Sequence, residues 1–209
     1  VNVLNSALII NTIDESINVN KDNLNTSYNL DDQIIYIIFT SGSTGEPKGV
    51  QITQDSILDF NKWLDTDFKF SNDSVFMNQA PFSFDLSVYE LIGFLSFGGT
   101  IILNSRELLE NHIEYFERLK KYNCNTWVST PSFISKYLLS SEFTSNDIKS
   151  LQTFLFCGEV LPATTAKRIL NSFPNSKVLN TYGPTEATVA ITLIDITPAV
   201  IEKYSKSLP

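Results

Sequence analysis

The chain is predicted to be a layered α/β protein with a largely parallel sheet flanked by helices. Three observations carry that expectation. Short apolar runs that read as buried strands alternate with segments of helical spacing. There are no internal repeats and no long low-complexity tract to suggest another architecture. The chemically suggestive motifs fall directly after strands, where sheets of this kind hold ligands.

In chain order, Ala7-Leu8-Ile9-Ile10 reads as a strand and residues 11–32, rich in Asn and Asp, as a surface connection. Ile34-Ile35-Tyr36-Ile37-Ile38 reads as a buried strand, and the amphipathic segment Asp55 to Leu64 as a helix. Val75-Phe76-Met77 is a strand, Leu86 to Phe97 an apolar helix stopped by Gly98-Gly99, and Thr100 to Leu103 a short strand. Arg106 to Tyr122 is expected to be one helix, with Leu109, Ile113, Phe116 and Leu119 on its apolar face. Thr126 to Ser129 is a strand, and Pro131 suits the first turn of the next helix. Leu151 to Phe156 is a buried strand, Ala163 to Phe173 a helix and Lys177 to Asn180 a strand.

Composition narrows the function classes. Of 209 residues 43% are apolar, and fifteen Phe with eight Tyr imply a dense interior. The net charge of −8 and the lack of a Lys/Arg cluster argue against a nucleic-acid binder. Nucleotide phosphates would then be held locally, by loop backbone and metal. Cys124 and Cys157 form neither a disulfide framework nor a zinc site, which fits a reducing, cytoplasmic setting. No apolar stretch reaches the roughly 18 to 20 residues of a membrane span. No signal peptide is evident, and the chain starts at Val1 without a methionine.

The first motif is Phe39-Thr40-Ser41-Gly42-Ser43-Thr44-Gly45-Glu46-Pro47-Lys48-Gly49. Read as strand, loop, helix, it makes a phosphate cradle. Glycines let backbone N–H groups approach an anion, the hydroxyls of Thr40, Ser41, Ser43 and Thr44 donate, and Lys48 adds charge. It is not a Walker A loop, because Lys48 lies between Pro47 and Gly49. A flexible Ser/Gly surface loop is the plain alternative.

In Asn180-Thr181-Tyr182-Gly183-Pro184-Thr185-Glu186, Tyr182 could stack on a base, Thr185 bond a phosphate and Glu186 hold Mg²⁺. The segment could equally be an ordinary turn. In Phe84-Asp85-Leu86-Ser87 the carboxylate is either a helix N-cap or a buried acid awaiting a cation such as a substrate ammonium.

These motifs, in this order, resemble the adenylate-forming superfamily: acyl-CoA synthetases, luciferases and the adenylation domains of nonribosomal peptide synthetases. Thr40 to Gly49 resembles its phosphate loop, Asn180 to Glu186 its adenine and magnesium motif, and Phe84 to Ser87 the amino-acid-activating branch. Within that branch the chain most resembles the D-alanine–carrier protein ligases of teichoic acid modification. The resemblance runs through Asn78 to Val88, Trp127 to Phe133 and Phe156-Cys157-Gly158-Glu159.

The resemblance implies the following. The enzyme converts ATP and an amino acid, D-alanine or a similar small one, to aminoacyl-AMP and pyrophosphate. It then passes the aminoacyl group to a carrier-protein phosphopantetheine thiol. Thr40, Ser41, Gly42, Ser43, Thr44, Gly45 and Lys48 manage the β and γ phosphates. Asn180, Thr181, Tyr182 and Thr185 hold adenine and α-phosphate, and Glu186 holds Mg²⁺. Thr44, Lys48, Thr185 and Glu186 carry the catalysis. Asp85 pairs with the substrate ammonium, while Leu86, Tyr89, Leu155, Cys157, Thr181 and Val189 line its pocket. Cys157 narrows that pocket and favours the D enantiomer; a buried core thiol is the plain alternative. No nucleic-acid partner and no membrane insertion are expected.

The resemblance also implies that residues 1–209 are an internal fragment of the large N-terminal domain. The domain's start is missing. So are the ribose-binding aspartate, the hinge and the C-terminal lid domain with its lysine, and the fragment alone is expected to bind nucleotide weakly and not turn over. Two rivals stand. A peptide-synthetase adenylation domain for another small amino acid would share the fold. A truncated, non-catalytic nucleotide-binding module would share only the binding. An acyl-CoA synthetase is disfavoured, because a fatty acid has no ammonium for Asp85. His112 reads as an exposed structural residue, Cys124 as incidental, and Glu159 as structural or near the ribose.

Overall fold

Alternation along a strand sends successive side chains to opposite faces, and the central strands carry apolar residues for both. The computed structural model describes residues 33–41, 46–204 and 208, with 8–10 by backbone alone. A seven-stranded sheet runs in the order β1 (Leu8–Ile10), β5 (Thr100–Ile102), β4 (Val75–Met77), β6 (Thr126–Ser129), β7 (Thr153–Phe156), β8 (Lys177–Tyr182) and β9 (Thr192–Asp195). All neighbours are parallel except β8 and β9, where Tyr182 pairs with Thr192.

The two faces build two cores. Met77, Ile102, Trp127, Phe154, Phe156 and Val178 face one, covered by α4 (His112–Lys121), α5 (Pro131–Tyr137) and α6 (Ala163–Ser172). Phe76, Ile101, Val128, Leu155, Cys157 and Leu179 face the other, covered by α1 (Gln54–Trp63) and α2 (Ser87–Leu95). The first has a connected aromatic centre: Trp127, Tyr137, Phe143, Phe154 and Phe173 touch at ring-centroid distances of 4.9–6.4 Å. Such pairs add to simple area burial.

Three expectations are corrected. Ile34–Ile38 is a strand, but not a buried one of the parallel sheet. It lies in β2 (Ile34–Thr40), which pairs antiparallel with β3 (Lys48–Thr53) in a separate hairpin. Ile38 is buried, while Ile35, Ile37 and Phe39 are about half exposed or more, at 52%, 50% and 68%. An unbroken apolar run looks buried on both faces, but here only one face meets the core. The segment Asn111 to Tyr122 does not continue the helix from Arg106. Asn111 is extended (φ −95°, ψ 91°), ends α3 (Arg106–Glu110) and caps α4 by accepting from the Glu114 N–H. Asn competes with the helical backbone in this way. Ile113, expected on the apolar face, is 75% exposed.

The sequence reading also lacked β3, β9 and α7 (Pro198–Lys203), which packs Val200 and Ile201 on the aromatic core. The remaining strands and helices lie within a few residues of their expected positions.

Candidate active site

The carboxyl ends of β4, β6, β7 and β8 deliver the expected motifs, apart from Thr40 to Gly49, to one edge of the sheet. Period-two alternation then sorts them. On β7 and its extension, Leu155 and Cys157 point to the α1/α2 face. On β8, Thr181 points the same way, while Asn180 shares the opposite face with Val178.

On the α1/α2 face the side chains form a connected set. The Tyr89 hydroxyl donates to Thr181 Oγ1 at 3.0 Å, and Thr181 Oγ1 donates to the Phe156 carbonyl at 2.9 Å. Cys157 Sγ lies 3.9 Å from the Val189 carbonyl oxygen, to which it donates. Leu155, Tyr89 and Val189 are fully or almost fully buried around it. Burial raises the Cys157 thiol, the Thr181 hydrogen bond opposes that, and the Asp85 charge adds to it, so the sulfur stays protonated. Burial, then Cys157 and Asp85, push Tyr89 far up as well. Burial and Asp85 raise the Tyr36 hydroxyl to about 12. Tyr36 on β2, Tyr89 on α2 and Cys157 at the β7 end therefore all feel one carboxylate. Asp85 does not cap the helix after it: Leu86 occupies the cap position, and no side chain bonds there.

Beyond the β7 and β8 ends lies a cleft of about 450 Å³ lined by Gly158, Glu159, Val160, Asn180, Tyr182 and Gly183. The Tyr182 ring is 69% exposed beside it. Glu159 is tied down: its carboxylate accepts from the Ser132 N–H at 2.9 Å and the Ser132 hydroxyl at 2.8 Å, serving the first turn of α5. Thr185 and Glu186 occupy a short 3₁₀ turn, Thr185–Ala187. That turn packs against β3, which begins with Lys48, and Lys48 pairs across the hairpin with Thr40. The strand–loop–helix cradle is thus corrected to a hairpin mouth, with Thr40, Ser41 and Lys48 at its rim and α1 starting only after β3. Gly42, Ser43, Thr44 and Gly45 lie outside the described residues.

The AMP-binding enzyme family profile matches residues 6–208. The chain belongs to that family. A D-alanine–D-alanyl carrier protein ligase of Bacillus cytotoxicus is 48% identical over 179 residues, 86% of this chain and 35% of that protein. The ligase of the same name from Bacillus licheniformis is 49% identical, over 83% of this chain and 34% of that protein. Among solved structures, the Vibrio cholerae adenylation domain AlmE, in complex with glycyl-adenosine-5'-phosphate, is 25% identical. It covers 87% of this chain and 33% of its own, with a TM-score of 0.76. The nonribosomal peptide synthetase FmoA3 in its AMPPNP-bound form shares the fold, with a TM-score of 0.70 at 22% identity over 79% of this chain and 18% of its own. The chain spans about a third of the length of the curated relatives it matches.

Within this chain the predicted site residues fall into three groups. Asp85, Leu86, Tyr89, Leu155, Cys157, Thr181 and Val189 come together on the α1/α2 face. Asn180 and Tyr182 line the open cleft, with Thr185 following them. Thr40, Ser41, Lys48 and Glu186 belong to the hairpin and the turn it packs on.

The sequence reading missed the backbone of residues 183–191. Thr188 and Val189 both have positive φ, 57° and 74°. For β-branched residues this is strained. A Cβ on Gly183 would lie 2.4 Å from the Ala190 Cα. The Gly-Pro pair was the only available hint. His112 stacks on Tyr137 with ring centroids 4.7 Å apart, a packing role away from these groups.

Proposed function

We propose that the protein carrying this segment activates D-alanine with ATP and loads it onto a phosphopantetheinylated carrier protein, as a ligase of teichoic acid D-alanylation in the cytoplasm. The observation that carries the reading is one half-buried carboxylate, Asp85, whose charge reaches the Tyr36 and Tyr89 hydroxyls and the buried thiol of Cys157 at the α1/α2 core. A carboxylate beside apolar surface favours a cationic partner. The buried Cys157 thiol, bonded to the Val189 carbonyl, is read as narrowing the space for the substrate side chain. The relatives at 48% and 49% identity bear the ligase name.

Residues 1–209 are read as part of the large domain of that enzyme. In the first half-reaction a carboxylate oxygen of the amino acid attacks the α-phosphorus of ATP. The bond to the β-phosphate oxygen breaks and pyrophosphate leaves. In the second, the carrier thiol sulfur attacks the acyl carbon, its proton is lost to solvent and AMP departs. Displacement at phosphorus depends on positioning and charge neutralisation.

Asp85 holds the ammonium end, so the substrate carboxylate faces the nucleotide. Tyr182 supplies a stacking face, Asn180 an amide for the base edge and Thr185 a hydroxyl for the α-phosphate. Thr40, Ser41, Ser43, Thr44 and Lys48 meet the departing phosphates. Among the described residues no three His, Cys, Asp or Glu gather as a metal site. Magnesium carried by ATP needs only one or two carboxylates, so Glu186 alone suits it; there the ion would neutralise phosphate charge.

A second reading is an adenylation domain for another small amino acid, favoured by the likeness to AlmE with its glycyl adenylate. ATP–pyrophosphate exchange by the full-length enzyme with D-alanine, L-alanine, glycine and D-serine separates the two. D-alanine should dominate, and Cys157→Gly should reduce the D-over-L preference about tenfold. Preference for glycine or an L-amino acid, indifferent to Cys157, would move the protein to the second reading.

A further inference from the structure

Glu90 is fully buried on α2, five residues after Asp85, and neither the fold nor the proposed chemistry uses it directly. Its Oε2 accepts from Asn78 Nδ2, and the same Nδ2 donates to the Ala80 carbonyl at 3.1 Å. Asn78 directly follows β4 and opens the loop that reaches Asp85. Glu90 belongs to the helix that closes that loop. A single side-chain pair therefore ties the two stems of residues 78–86 together.

Asn78 is held from behind as well. Its carbonyl accepts from Asn104 Nδ2 at 2.7 Å. Asn104 Oδ1 accepts from Arg118 Nε at 3.1 Å, and Arg118 donates to the Leu103 carbonyl at 3.2 Å. The Tyr115 hydroxyl reaches the Met77 carbonyl at 3.5 Å.

We propose that Glu90, acting through Asn78, is a positioning residue for the amino-acid site: the pair sets where the 78–86 loop presents the Asp85 carboxylate. The inference rests on the reading of Asp85 as the partner of the substrate ammonium.

The chemistry of the clasp is consistent with a neutral acid. Burial raises the Glu90 carboxyl to about 8, opposed by the Asn78 bond. The titratable groups that feel it are Tyr115 on α4 and Cys124, both buried and neutral. The nearest cation in the network, Arg118, is spent on Asn104 and Leu103. Glutamine can reproduce a neutral carboxyl that accepts from Asn78; leucine of similar size cannot.

The test is ATP–pyrophosphate exchange by the full-length enzyme, titrating D-alanine and ATP separately. Glu90→Leu should raise the D-alanine KM about tenfold and leave the ATP KM within twofold. Glu90→Gln should restore both. Asn78→Ala should repeat the leucine phenotype, and it carries the test if the leucine variant fails to fold. Because the two residues act as one unit, the double variant should be no worse than either single. Asp85→Ala serves as the reference. If Asp85→Ala leaves the D-alanine KM unchanged, the reading of the site fails and takes this inference with it. If Asp85→Ala is impaired but Asn78→Ala is not, or Glu90→Gln is as impaired as Glu90→Leu, the positioning role alone is overturned.

Discussion

Two loops at the same edge of the sheet are held in opposite ways. Residues 78–86, which carry Asp85, are braced by side chains: Glu90, Asn78, Asn104 and Arg118 in series. Residues 183–191, which carry Thr185, Glu186 and Val189, are braced by backbone. Gly183 lies against Ala190, the Ile191 N–H donates to the Tyr182 carbonyl at 2.8 Å, and Thr188 and Val189 accept left-handed geometry. A side-chain brace can be tuned by a proton or an isostere. A backbone brace admits neither and fails at a single methyl group.

The sharpest way to break that contrast is Gly183→Ala. The new Cβ would lie 2.4 Å from the Ala190 Cα and 2.9 Å from the Ile191 nitrogen. Overpacking costs about 1–3 kcal/mol when side chains can yield, and here only backbone faces the methyl group. The full-length protein should lose about 3 kcal/mol in denaturant unfolding, and ATP affinity should fall at least a hundredfold. D-alanine pocket residues would still be present. A Gly183→Ala protein with unchanged stability and nucleotide affinity would show that the close approach is not maintained.

The side-chain brace should show itself in pH. The Glu90 carboxyl ordinarily titrates near 4.5 and is raised to about 8 in the fold. Between those values the folded form keeps its proton and the unfolded form has lost it. The contribution of Glu90 therefore falls as pH rises through that window and levels off above it. Each unit is worth about 1.4 kcal/mol. Other groups titrate over the same range, so the difference between Glu90→Gln and the parent isolates the effect. That difference should move by about 2 kcal/mol in favour of the variant between pH 5 and 6.5. A flat difference would place the carboxyl in an ionised, solvated setting.

Legibility in the sequence followed the range of the forces involved. Strands with local apolar pattern and helices with strong periodicity, such as Thr126–Ser129 and Ala163–Ser172, were read close to their observed limits. The motifs around Asp85, Cys157 and Tyr182 do follow strands of the main sheet, where strand ends and ligand edges coincide, whereas Thr40 to Gly49 belongs to the separate hairpin. What escaped was set by partners. Ile34–Ile38 reads as buried because it is apolar, and only pairing with β3 reveals a half-open hairpin. The break at Asn111 depended on one side chain preferring a cap to a helix turn. Glu90 was not singled out in the sequence at all, because its partner Asn78 lies twelve residues earlier and outside its helix. The strain at Thr188 and Val189 has no local signature, because neither residue favours positive φ.

The smallest predicted effect sharpens the comparison from the opposite side of Asp85. The Tyr36 hydroxyl is buried near that carboxylate and has no hydrogen-bond partner among the described residues. If the 78–86 loop is held by Glu90 and Asn78, Tyr36 contributes only its ring to the α1/α2 core. An unsatisfied buried hydroxyl costs about 1–3 kcal/mol, part of which is recovered when it is removed. Tyr36→Phe should therefore leave the stability of the full-length protein unchanged or raise it by about 1 kcal/mol, with the D-alanine KM within twofold of the parent. A loss of 1 kcal/mol or more, with a raised KM, would mean that the hydroxyl bonds Asp85 or the substrate. The amino-acid loop would then be braced from both β2 and α2, and the contrast with the backbone-held loop would rest on two side chains instead of one.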